Sequence, residues 1–163
     1  LFVDFWFVDG EPGDTLKFLQ ANQQVIHPGV ARDESKTDKT FVGNSLGGLF
    51  GAYILFTEPD LFSSYILGSP SVWFDDNAIL STPLFKPGTQ IKVYLSVGEH
   101  ETPAFGEMQD MVAGAMQLRD KIAASANADI EVNFAIVSGA SHATAFPTTA
   151  IQGLDWIYAI KRK

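Results

Sequence analysis

Cysteine is absent from this chain of 163 residues. That excludes disulfides, a thiolate nucleophile and thiolate-bound zinc or iron–sulfur centres, and it leaves the compartment, cytoplasmic or periplasmic, unassigned. Histidine is scarce, with three copies at His27, His100 and His142. Neither these nor the run Glu99-His100-Glu101 has HExxH-type spacing, so no metal and no cofactor are expected. Basic residues number 11 against 19 acidic ones, for a formal charge of -8. Such a balance repels nucleic acid and anionic membrane surfaces. The one basic cluster, Lys161-Arg162-Lys163, suits the end of a helix, where cations complement the dipole. Long apolar runs are missing as well: Leu1 to Val8 is too short for a membrane span or a signal peptide and carries Asp4. The chain has no repeats and no low-complexity tracts.

What is present is enough apolar material, 46% of residues, for one domain over residues 1–163. Within it stands Gly43-Asn44-Ser45-Leu46-Gly47-Gly48. A serine with glycines two residues to either side, between the apolar strand Thr40-Phe41-Val42 and an apolar helix from Leu46 to Phe56, has the pattern of a nucleophile elbow. At such a turn the serine adopts a strained backbone conformation that small neighbours tolerate, so Gly43 and Gly47 are expected to keep strand and helix apart. The bland alternative is a glycine-rich turn that caps a helix.

An elbow of this kind needs an acid and then a histidine further along the chain, each on a loop after its own strand. Ile91 to Val97 reads as a strand and ends in Gly98-Glu99-His100-Glu101, which makes Glu101 the candidate acid and Glu99 the fallback. Glu131 to Val137 alternates like a strand and leads into Ser138-Gly139-Ala140-Ser141-His142, which makes His142 the candidate base. A serine hydroxyl is a weak nucleophile at neutral pH until an imidazole within hydrogen-bond reach removes its proton. The acid fixes the tautomer of that imidazole and stabilises the imidazolium that forms. Either residue alone is unremarkable on a surface loop; the ordered combination carries the argument.

The segments Phe41 to Phe50, Glu58-Pro59-Asp60-Leu61-Phe62 and Ser69-Pro70-Ser71-Val72-Trp73-Phe74 resemble the putative esterase family of α/β-hydrolases, which includes siderophore (enterochelin-type) and esterase D-like enzymes. The resemblance runs from about Asp14 to the C-terminus. It implies an α/β fold with a mostly parallel sheet flanked by helices, Ser45 as nucleophile, Glu101 as acid, His142 as base, and Trp73 and Ser69 on the substrate side, with a core aromatic beside Phe74 as the alternative reading of Trp73. The backbone N–H of Leu46 is the expected oxyanion donor.

The departure from that pattern is at the N-terminus, where about forty residues precede Ser45 in place of four strands. They offer one apolar stretch, Leu1 to Val8, and a helix from about Gly13 to His27, so the sequence looks like the C-terminal half of a truncated α/β-hydrolase fold. No HGG-type loop supplies a second oxyanion donor, and the loss of one donor typically costs about 10²- to 10³-fold in rate. The Asp9-Gly10 region or another chain is a candidate source. The elbow strand is expected at an exposed edge, which residues 1–13 cover in their own chain or swapped into a neighbour, so a homo-oligomer is expected.

The remaining segments read as scaffold: a strand at Tyr65 to Gly68, a Pro-broken connection from Asp75 to Pro87, a helix from Phe105 to Ala124 with its methionines as core filler, and a helix from Phe146 to Ile160 with Pro147 near its start. The function expected is a serine hydrolase that cleaves carboxylic esters, with siderophore or other hydroxy-acid esters as small-molecule substrates. An acyltransferase with the same triad, and a non-catalytic half-hydrolase that binds or assembles, are the alternatives.

Overall fold

The structure is a computed structural model that describes residues 39–124 and 129–159. The expectations for Leu1 to Val8, the helix over 13–27 and the basic C-terminal cluster lie outside the described residues. Four parallel strands, β1 (Thr40–Asn44), β2 (Ser64–Gly68), β3 (Ile91–Gly98) and β4 (Ile130–Val137), pair in sequence order. The connections carry α1 (Leu46–Thr57), α2 (Phe74–Ser81) and α3 (Met111–Ala124), and α4 (His142–Tyr158) follows β4. This is the α/β arrangement expected of a parallel sheet between helices: the central strands β2 and β3 are covered on both faces, so both sets of their alternating side chains are buried.

The alternation sorts the core. Tyr65, Leu67, Val93 and Leu95 pack with Leu49, Ile54, Leu118 and Ile122 on the face covered by α1 and α3. Ile66 and Tyr94 point the other way and meet Ile157 of α4. Gly153 allows α4 to approach this closely, since a Cβ there would lie 2.9 Å from Ile66.

Several boundaries differ from the sequence reading for identifiable reasons. The third helix begins at Met111, not Phe105, because Pro103–Phe105 forms a short 3-10 turn that Gly106, at φ 93°, terminates. Met108 consequently lies outside the helix and is 92% exposed, whereas Met111 is buried as expected. The connection after Trp73 contains α2, opened by left-handed residues at Asp75, Asp76 and Asn77. The last helix starts at His142 rather than Phe146. Ser141 begins it: its carbonyl accepts the N–H groups of Thr144 and Ala145, and its own N–H donates to Thr144 Oγ1 at 2.9 Å. Pro147 therefore lies inside α4, where the bond it withholds is the one to the carbonyl of Ala143, an exposed residue. Among the described residues β1 is an edge strand, and no helix is long and apolar enough to cross a membrane.

Candidate active site

Because all four strands run in parallel, the residues that follow their carboxyl ends gather along one rim: Ser45 after β1, Ser69 after β2, Glu101 after β3 and His142 after β4. Crevices at this rim are where open α/β sheets bind ligands. Ser45 occupies the single residue between β1 and α1, at φ 59° and ψ -121°, a conformation rare for a residue with a side chain. Its N–H donates to the Gly68 carbonyl at 2.9 Å, and its carbonyl accepts from Leu49 and Ser71. A Cβ on Gly43 would come within 2.4 Å of the Gly47 carbonyl oxygen, so glycine is required there. Gly47 itself faces open space among the described residues, and the further close approaches are at Gly48 and Gly51 instead. The steric demand thus runs along α1, where it crosses β1 and β2.

The Ser45 hydroxyl is hydrogen-bonded to Ser71 Oγ at 3.2 Å. No hydrogen bond joins Ser45 to His142 among the described residues. Ser71, whose place in the Ser-Pro-Ser motif carries no signal of a role at the elbow, is almost fully buried, and its N–H is tied to the Ser45 carbonyl at 3.1 Å. Leu46 is the first residue of α1, so its N–H is one of the unpaired donors at a helix N-terminus, where partial positive charge accumulates.

Glu101 and His142 are brought together as expected: Oε2 lies 2.6 Å from Nδ1. The Glu101 side chain is fully buried, and its other oxygen accepts from Ser69 Oγ at 2.6 Å and from the Gly98 N–H at 2.7 Å. Burial pushes its carboxyl up, but the hydrogen bonds from His142, Ser69 and Gly98 outweigh this and hold it below the ordinary value. His142 is shifted the opposite way: the hydrogen bond to Glu101 raises it above the ordinary histidine value against the effect of burial, and the charges of Glu101 and Glu107 add to the rise. With Nδ1–H directed at a carboxylate, Nε2 is the free nitrogen of the neutral ring.

The fallback acid, Glu99, is placed elsewhere. It is exposed and accepts from Gly139 N at 2.7 Å and Ser138 Oγ at 2.9 Å; these bonds lower its pKa and pin the loop that leads to His142. His100, between the two carboxylates, stacks on Phe105. Ser69, expected on the substrate side, is instead fully buried beneath Glu101. Trp73 is 41% exposed and, with Leu46, Val72 and Met111, lines a cavity of about 740 Å³ beside the elbow.

An elbow serine at the rim of a parallel sheet, with a carboxylate and a histidine paired after the third and fourth strands, defines an α/β-hydrolase-like protein. The chain belongs to the family described as "Putative esterase", whose pattern matches residues 16–156. It is similar to the ferri-bacillibactin esterase BesA of Bacillus subtilis, at 32% identity over 152 residues covering 88% of this chain and 52% of that protein. It is also similar to the siderophore triacetylfusarinine C esterase of Aspergillus fumigatus, at 38% identity over 66 residues, 39% of this chain and 23% of that protein. The chain thus spans about half the length of the first of these relatives and less of the second. Among solved structures, the BES protein from Bacillus cereus superposes with a TM-score of 0.68 at 26% identity, covering 96% of this chain and 61% of that one. The enterobactin esterase FES from Shigella flexneri shares the fold, with a TM-score of 0.53 at 19% identity, over 85% of this chain and 34% of that one.

Proposed function

We propose that the protein is a carboxylic ester hydrolase in which Ser45 is acylated with His142 as general base. The observation that carries this reading is the 2.6 Å contact between His142 Nδ1 and the fully buried Glu101, at the same rim of the sheet as the strained Ser45. Glu101 holds the imidazole with Nε2 free. When the Ser45 hydroxyl turns from Ser71 toward Nε2, its proton passes to the ring as Oγ attacks the ester carbonyl. Such catalytic hydrogen bonds commonly tighten only once substrate is bound. The Leu46 N–H stabilises the oxyanion, the imidazolium protonates the departing alcohol, and a water deprotonated by His142 then releases the acid.

The names of the relatives favour siderophore esters as substrates, and the cavity beside Trp73 is the site we assign to the acyl or alcohol part. A homo-oligomer that covers the β1 edge is part of the same proposal, and sedimentation of the full chain as a monomer contradicts that part. Hydrolysis of p-nitrophenyl acetate tests the chemistry. We expect turnover, with a burst of p-nitrophenol as Ser45 is acylated, that Ser45→Ala abolishes. Equal turnover in Ser45→Ala rules the assignment out. Added alcohols measure how much of the acyl group goes to transfer instead of hydrolysis.

A further inference from the structure

We propose that Ser69 is a positioning residue of this site: its hydroxyl and the Gly98 N–H together clamp one oxygen of Glu101, which holds the other oxygen on His142 Nδ1. The inference rests on the assignment of Ser45, Glu101 and His142 given above, and it gives Ser69 a task that is not contact with substrate.

A carboxylate offers about four lone-pair sites over two oxygens, and Glu101 is fully buried. His142 takes Oε2. Both donors to Oε1 are short, 2.6 Å from Ser69 and 2.7 Å from Gly98, and they come from the ends of two different strands, β2 and β3. Two donors on one oxygen and a third on the other fix the plane of the carboxylate as well as its position, and charge-assisted bonds of this kind are the strong ones. Without the Ser69 hydroxyl, Glu101 is free to rotate about its last bonds, and the imidazole it orients loses its direction toward the elbow.

The backbone of Ser69 supports the same conclusion. Ser69 sits at φ 40°, in the left-handed region, with its N–H bound to the Ser96 carbonyl at 2.7 Å and with no exposed surface. Glycine occupies that region without strain, whereas a residue with a side chain does so at an energetic cost. The chain holds a serine there, and the hydroxyl is what glycine lacks. At Gly98 the requirement is reversed: a Cβ would stand 2.8 Å from Glu101 Oε1 and 2.5 Å from the Ala140 carbonyl, so the second donor has to come from a bare backbone. The contacts also close a continuous chain from the elbow to the base, from Ser45 N to the Gly68 carbonyl, through Ser69 Oγ to Glu101, and on to His142.

The test uses Ser69→Gly and Ser69→Ala in the full chain. Both remove the hydroxyl, but glycine relieves the backbone and alanine does not. The rate at which a fluorophosphonate labels Ser45 is measured in each, alone and combined with Glu101→Gln, and the titration of His142 is followed by NMR. We expect each single variant to label about tenfold more slowly. Combined with Glu101→Gln, Ser69→Gly should add less than about twofold, because residues that act through one another are not additive. The His142 midpoint should fall toward the ordinary histidine value in both, since the bond to Glu101 that raises it is loosened when the carboxylate is no longer clamped. Wild-type labelling in Ser69→Gly, full multiplication of the two effects, or an unmoved His142 titration overturns the proposal. Failure of the underlying assignment looks different: the folded wild type is not labelled, or labelling survives Ser45→Ala. In that event the titration, which needs no activity, still decides whether Ser69 acts on His142 through Glu101.

Discussion

The two ends of the sheet hold similar inventories of polar side chains and use them in different ways. At the amino end, Ser64, Gln90, Lys92, Asp129, Glu131 and Tyr158 line a cavity of about 360 Å³. Lys92 Nζ there donates to the Ile157 carbonyl at 3.1 Å and lies over the Trp156 ring, and Ser63 exchanges hydrogen bonds with the Lys39 backbone. These contacts fasten α4 and the start of β1 to the sheet. At the carboxyl end, Ser45 and Ser69 have positive φ, and a carboxylate is buried against a histidine. Strain and buried ionisable groups are costly, and they persist where the surrounding structure over-determines them, as functional sites do. The comparison teaches that the difference between the ends lies in how the groups are held, since both ends are polar.

The largest effect expected is at Ser45. Ser45→Ala should reduce ester hydrolysis at least about 10³-fold with an unchanged thermal midpoint, because it removes the proposed nucleophile and no buried partner beyond Ser71. Next comes a contrast within one loop. Glu101→Gln should cost about 10²-fold in kcat/KM by removing the charge that stabilises the imidazolium, whereas Glu99→Gln should remain within about twofold. Steady-state kinetics on the two purified variants reads the difference, and an equal loss in both erases the distinction between the buried and the exposed carboxylate.

A smaller effect is expected in the pH profile. His142 is raised by Glu101, so the acidic limb of kcat/KM should lie above the ordinary histidine value of about 6.5 and fall toward it in Glu101→Gln. The same shifts act on stability with a different sign. The raised histidine contributes stability that is complete below about 6.5 and is lost as pH rises through its folded-state value. The lowered Glu101 contributes stability above about 4.3 that is lost as pH falls through its own folded-state value. Over the range in which activity rises, the stabilisation from the pair therefore declines, which thermal midpoints measured across pH 4 to 9 can check. The smallest effect belongs to the amino end: Lys92→Met should leave activity within about twofold and lower stability by about 1 kcal/mol through the lost bond to α4, as chemical denaturation can measure.

Much of this was legible in the sequence because parallel α/β folds write their layout locally. Apolar runs mark β1 to β3 and alternation marks β4, the glycines around Ser45 mark the turn, and the order of serine, acid and histidine follows from one loop per strand. The pairing of Glu101 with His142 could be anticipated from that order. What stayed hidden depends on geometry across strands. Ser69 and Ser71 are two residues apart in one motif, yet one turns down to Glu101 and the other faces Ser45 Oγ. Nothing in Ser-Pro-Ser distinguishes them without the positive φ at Ser69. Gly47, conspicuous in the motif, has room for a side chain among the described residues, while Gly51, inconspicuous inside α1, would place a Cβ 2.4 Å from Phe41. The start of α4 differs because Pro147 resembles a helix opening, whereas Ser141, five residues before Phe146, already begins the helix.

The account stands most directly on whether the Ser45 hydroxyl is activated by His142. Peptide mapping by mass spectrometry after treatment with a fluorophosphonate measures this. We predict a single adduct on the peptide that contains Ser45 in the folded wild type, and none on the same peptide in His142→Ala. A folded wild type that takes up no label, or an adduct on Ser45 that forms equally fast without His142, contradicts it.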